Sequence, residues 1–127
     1  MADNREYFTQ NVENGSIQIA EDVVASVAAM AAMEVDGVCG LNAGIGSDIA
    51  KMLGKKDITK GVRITGGKDA PLAIECNVVA RIGTSVFDLA KAVQTAVKTS
   101  VESTTGLVVE QVNVNIGGIS MQRETKK

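Results

Sequence analysis

Residues 84 to 116, TSVFDLAKAVQTAVKTSVESTTGLVVEQVNVNI, contain a helix start, an amphipathic helix, a stop and a change of period, and any fold must accommodate that order. Val86, Leu89, Ala90, Val93, Val97 and Val101 recur at steps of three and four, so they form one apolar stripe opposite Asp88, Lys91, Gln94, Lys98 and Glu102. Ser85 is placed to accept orphan amide hydrogens at the helix start, with Asp88 completing a capping-box-like pair, and Gly106 suits a left-handed stop. Thr104 and Thr105 then mark a fraying end. Beyond Gly106 the period drops to two, which predicts a strand with Val108, Val112, Val114 and Ile116 on one face and Gln111, Asn113 and Asn115 on the other.

The rest of the chain is read against that helix and strand. Residues 1–14 have few apolar anchors and read as a flexible leader in which Tyr7 and Phe8 dock locally at most, while residues 119–127 read as a flexible tail after Gly117-Gly118. Between them, 15–118 reads as a single domain. A short strand over Ser16–Ile19 points Ile17 and Ile19 inward. A helix follows from Ala20 to about Val35, with Val23, Val24, Val27, Ala28, Ala31 and Val35 at helical spacing and Met30 and Met33 filling gaps. Glu21 and Asp22 suit its N-terminal dipole, although Ala20 stands where a Ser or Thr cap is expected.

Asp36-Gly37 ends that helix, and Val38, Cys39 and Leu41 predict a short strand. Ser47 can cap a short helix through Leu53, and Val62 and Ile64 alternating with Arg63 and Thr65 predict a strand. A turn over 66–71 pairs it as a hairpin with the next strand, where Leu72, Ile74, Cys76, Val78, Ala80 and Ile82 share one face and Glu75, Asn77 and Arg81 the other. Strands with one polar face require a sheet covered on one side only. The fold class is therefore α+β: a two-layer α/β sandwich in the order β-α-β, short α, β-β-α-β, its sheet mixed or antiparallel and both long helices on one face.

Composition narrows the function classes. Tyr7, Phe8 and Phe87 are the only aromatics, so the core is aliphatic and the chain lacks the aromatic platform on which single-stranded nucleic acids stack. Net charge is −2, but Lys51, Lys55, Lys56, Lys60, Arg63 and Lys68 face only Asp57 in their stretch, a candidate positive patch for acidic lipid or an acidic partner or else a solvated loop. No run approaches the ~20 apolar residues needed to cross a bilayer, and the start of the chain does not resemble a signal peptide. Cys39 and Cys76 are isolated, as in a reducing compartment, and read as small apolar residues.

There is no histidine, which removes the commonest general base and neutral metal ligand. Glu34, Asp36, Glu21 and Asp22 lie at helix ends, where solvation and capping account for them. The segment Gly61–Asp69 lacks the Gly at 62, the Ser or Thr at 69 and the following helix of a P-loop, and Gly44-Ile45-Gly46-Ser47 reads as a tight turn. These residues predict no catalytic set, no metal and no cofactor.

Four blocks in order, Gly15-Ser-Ile-Gln-Ile-Ala-Glu-Asp-Val-Val, Glu34-Val-Asp-Gly-Val-Cys-Gly-Leu, Lys60-Gly-Val and Thr105-Gly-Leu-Val-Val-Glu-Gln-Val-Asn-Val, resemble the alkaline shock protein family over about residues 15–119. The resemblance implies a non-enzymatic protein of cell-envelope stress and homeostasis. It further implies a cytoplasmic scaffold, peripheral at the inner face of the cell membrane, recruited by a membrane anchor protein and self-associating as a homo-oligomer. Membrane contact is then indirect and nucleic acid an unexpected partner.

Two surfaces are candidates for that role: the patch Lys51, Lys55, Lys56 and Lys60, and the sheet face carrying Glu75, Asn77, Arg81, Gln111, Asn113 and Asn115. The alternative is a small nucleic-acid-binding module of the K-homology type, although its G-x-x-G clamp is read as absent.

Overall fold

The computed structural model describes residues 7–41, 61–66 and 71–120. The elements are β1 (Tyr7–Val12), β2 (Gly15–Ala20), α1 (Glu21–Met33), β3 (Val38–Leu41), β4 (Val62–Thr65), β5 (Leu72–Arg81), α2 (Val86–Thr105) and β6 (Val109–Ser120). This is the expected α+β class. The expected short helix over 47–53 lies outside the described residues.

β5 is the centre of the main sheet. Its side chains alternate without a break, so Leu72, Ile74, Cys76, Val78 and Ala80 are buried on one face while the residues between them stay half-exposed. β6 runs parallel to it along one edge, a pairing that requires a crossover, and α2 supplies the crossover. On the other edge β3 and β4 both pair antiparallel, one after the other: Leu41 opposes Val78, Asn77 N–H donates to the Gly61 carbonyl at 2.8 Å, and Val62 opposes Cys76. Leu41 and Gly61 thus stand on neighbouring rungs of the ladder. β3 and β4 are two halves of one edge strand, entered again after residues 42–60.

Both helices cover the buried face of β5. α2 is capped as the sequence predicts, with Ser85 Oγ accepting from Asp88 N–H at 3.4 Å and Gly106 left-handed at φ 79°, and its buried stripe is Leu89, Val93, Val97 and Val101. Thr105 is buried rather than frayed: its hydroxyl donates to the Val101 carbonyl at 2.6 Å and accepts from Leu107 N–H at 3.2 Å. In α1 the buried residues are Val24, Ala25, Ala28, Ala29, Ala31 and Ala32, a stripe rotated from the expected one, so Val23, Met30 and Met33 face solvent. The reason is steric. α1 packs chiefly on α2, and a face of alanines lets the two helices approach where Met side chains would hold them apart. Ala20 stands at the cap position with no side-chain hydrogen bond, as expected.

Other departures have local causes. Residues 7–12 form β1, an antiparallel partner of β2, because Phe8 is buried in the core and the hairpin supplies its backbone with partners; a flexible leader to residue 14 is therefore incorrect over this stretch. The far end of the hairpin lies away from the core, leaving Ile17 48% exposed, while Phe8, Ile19 and Ala20 at its root are packed. At the other end β6 continues through Gly117-Gly118 to Ser120, so residues 119 and 120 belong to the sheet and not to the tail. Ile82 lies past the end of β5 and is exposed.

A further correction concerns β6 itself. Val109 is buried and Val108 is 74% exposed, the reverse of the expected alternation. The register with β5 slips by one residue between Leu72/Val109 and Ala73/Gln111, and this bulge at Glu110 brings Val109 into phase with Val112, Val114 and Ile116.

Because Leu41 and Gly61 occupy adjacent rungs, joining them directly by deleting 42–60 is expected to leave the circular dichroism spectrum and cooperative melting intact. Ile74→Ala, which empties part of the core under both helices, is expected to cost about 2–5 kcal/mol in urea unfolding.

Candidate interaction surface

The face of the sheet turned away from the helices carries no packed element among the described residues. β5 contributes Ala73, Glu75, Asn77, Val79 and Arg81 to it, all partly exposed. Register sets Gln111 beside Ala73, Asn113 beside Glu75 and Asn115 beside Asn77, while Arg63 on β4 stands opposite Glu75 on the other side.

These side chains form a polar lattice across three strands. Asn115 Nδ2 donates to Glu75 Oε2 at 2.8 Å and to Asn77 Oδ1 at 3.0 Å, and Asn77 Nδ2 reaches the Gly61 carbonyl at 3.4 Å. Arg63 Nε lies 3.8 Å from Glu75 Oε1, and Asn113 Nδ2 donates to Gln111 Oε1 at 3.4 Å. Ion pairs this exposed contribute little to stability. Their effect is to orient amide and carboxylate groups on a rigid sheet, which lowers the ordering cost of docking against them.

Of the residues singled out from the sequence, Glu75, Asn77, Gln111, Asn113 and Asn115 come together on this surface. Arg81 stands at its far end, 3.7 Å from Asp36 Oδ1. Arg63 joins the lattice although it was not assigned to it, and its alternation with Val62 and Ile64 was the signal. Lys51, Lys55, Lys56 and Lys60 lie outside the described residues. Gly37-Val38-Cys39-Gly40 does spell a G-x-x-G spacing, but Val38 and Gly40 pair with Ala80 and Val79 in the sheet, so it is no loop between helices. Gly37 itself is obligatory: its φ is 101°, and a Cβ there would meet Thr84 Cγ2 at 3.0 Å.

The edge of β6 is fastened by side chains of α2. Glu102 Oε2 accepts from Val109 N–H at 2.9 Å, Lys98 Nζ donates to the Val109 carbonyl at 2.8 Å, and Gln94 Nε2 donates to the Val112 carbonyl at 2.9 Å. The Val109 N–H, with Lys98 beside it, holds the Glu102 carboxyl below its ordinary value. Among the described residues no group of three or more His, Cys, Asp or Glu side chains could hold a metal ion, and no helix is long and apolar enough to cross a membrane.

The chain matches the model of a family of cell envelope-related function over residues 9–121. It belongs to the alkaline shock protein family. Its relatives within this family include the uncharacterized protein YloU of Bacillus subtilis, 31% identical over 83% of this chain and 88% of that protein. The uncharacterized protein Spy1614 of Streptococcus pyogenes is 29% identical over 90% of this chain and 95% of its own length, and the uncharacterized protein YqhY of Bacillus subtilis is 27% identical over 89% and 83%. No solved structure matches the chain.

The two cysteines differ in kind. Cys39 is exposed, whereas burial, and secondarily the Glu75 carboxylate next along the strand, pushes the Cys76 thiol from an ordinary 9.0 up to about 11. A thiol reagent at neutral pH is expected to modify Cys39 in the native protein and Cys76 only after unfolding. Because the folded-state value is raised, the Cys76 contribution is complete below pH 9 and declines as pH rises through 11. Stability measured across that window is expected to fall less in Cys76→Val than in the parent chain.

Proposed function

We propose that this protein is a non-enzymatic scaffold of the cell envelope that works by contact with other macromolecules through the open polar face of its sheet. The family's cell envelope-related function supports the setting. The single observation that carries the reading is the lattice Arg63–Glu75–Asn115–Asn77, a set of hydrogen-bonding groups held in register on the exposed face of the sheet. Such a surface suits a protein partner that supplies its own polar groups in register.

In this reading the partner is a membrane anchor protein. It recruits the chain to the inner face of the cell membrane, so that its contact with lipid is indirect, and the recruited chains self-associate. The basic residues Lys51, Lys55, Lys56 and Lys60 assist by meeting an acidic stretch of the anchor.

The test is a pulldown of the tagged full chain from membrane and soluble fractions. Glu75→Lys combined with Asn77→Lys is expected to reduce the captured anchor at least tenfold while leaving the circular dichroism spectrum unchanged; undiminished capture would reject the sheet face. Lys55→Glu with Lys56→Glu is expected to shift the chain from the membrane to the soluble fraction, and an unaltered distribution would remove the basic patch from the proposal.

A further inference from the structure

Among the described residues no strand pairs with the outer edge of β6, and from Val112 to Ile116 its sequence lacks the usual defences. β6 pairs with β5 alone among the described residues, and the hooks from α2 stop at Val112. From Gln111 to Ser120 the strand reads QVNVNIGGIS, with no charge and no proline. Edge strands are ordinarily blunted by Lys or Pro, by a covering element or by extreme shortness, and an edge without these is a template for another strand. A bulge between Ile116 and Gly118 leaves Val112–Ile116 as the regular stretch.

The geometry of that stretch says what fits it. The Val112 carbonyl turns outward to Gln94, and backbone groups alternate in direction along a strand, so Val114 and Ile116 present N–H and C=O on the same outer row. An antiparallel partner of identical sequence, related by a twofold axis at Asn115, bonds Val114 to Ile116 of the second copy and the reverse. On the helix side this sets Val against Ile, and both are half-exposed members of the core margin. On the open side Asn115 meets its own counterpart and Asn113 meets Gly117. No like charges are opposed.

A second observation lies on α2. Phe87 is 69% exposed, with the Lys91 ammonium 5.4 Å from its ring centroid. It falls roughly two and three turns before Gln94 and Lys98 on the same helical stripe, the stripe that overhangs the β6 edge. Two turns of helix advance about 10 Å, as do about three residues of strand, and α2 and β6 run in opposite directions. Phe87 therefore stands level with about Asn115. The twofold axis brings the Phe87 rings of two copies together above the strand seam.

We propose that a second copy of this chain docks antiparallel on the outer edge of β6 about Asn115, sealed by Phe87 from each copy, to make one continuous sheet with a doubled polar face. The proposal rests on the self-association in the function proposed above and assigns it a site.

The decisive experiment is disulfide mapping in the full chain with Cys39→Ser. Residues directly opposite in a non-hydrogen-bonded antiparallel pair have Cα atoms about 4.5 Å apart, within disulfide reach. Mild oxidation is expected to convert most of the Asn115→Cys protein to a crosslinked dimer but less than a tenth of Asn113→Cys. Phe87→Glu is expected to weaken dimerisation at least tenfold in sedimentation equilibrium with no change in fold. Asn115→Lys and Asn115→Glu should each be monomeric and restore the dimer when mixed.

A chain that stays monomeric at every concentration overturns both this site and the self-association behind it. A chain that assembles, yet forms no crosslink at 115 and is indifferent to Phe87→Glu, overturns the edge alone.

Discussion

The fold depends on β5 being covered on one face and paired on both edges. Leu72, Ile74, Cys76, Val78 and Ala80 place five side chains in a row beneath two helices, and the core is completed around them. A strand can present such a row only if its backbone groups are satisfied laterally, which β6 does on one edge and β3 with β4 on the other. The hairpin of β1 and β2 is a separate sheet, held instead by Phe8 in the core and by Gln10 Nε2 donating to the Thr105 carbonyl. The small volume of the buried α1 residues follows from the same requirement, because α1 and α2 must share the width of a narrow sheet.

The open face follows from the same strand. With period two, burying one face of β5 and β6 commits Glu75, Asn77, Gln111, Asn113 and Asn115 to the other. No aromatic residue stands among them, so the face offers amides and one carboxylate for hydrogen bonding and little area for stacking. The central strand beneath it is paired on both edges and buried on one face, which makes that surface rigid. In the scaffold role proposed above, the rigid polar face and the uncharged strand edge would be the means of contact.

Most of the surface was legible in the sequence because alternation in strands with a wet face is a strong and local signal. Arg63 belonged to the same pattern but could be assigned only when β4 was seen opposite Glu75. The inward and outward senses of Val108 and Val109 could not be separated from sequence, since both are valine and the bulge at Glu110 that selects Val109 arises from register with β5. In α1 the apolar residues surround most of the helix, so periodicity alone could not choose between a valine–methionine stripe and the alanine stripe that faces α2.

By itself the sequence determined the α2 helix with its Ser85 start and Gly106 stop, the alternation of β5, and the absence of any histidine-based chemistry; each depends on nearest neighbours along the chain or on composition. Tertiary structure alone decided that residues 7–12 form a strand, that β3 and β4 complete one edge, and that the helix side chains of Gln94, Lys98 and Glu102 reach only the first part of β6. These features join residues distant in sequence, and local periodicity carries no information about which distant backbone group will be the partner.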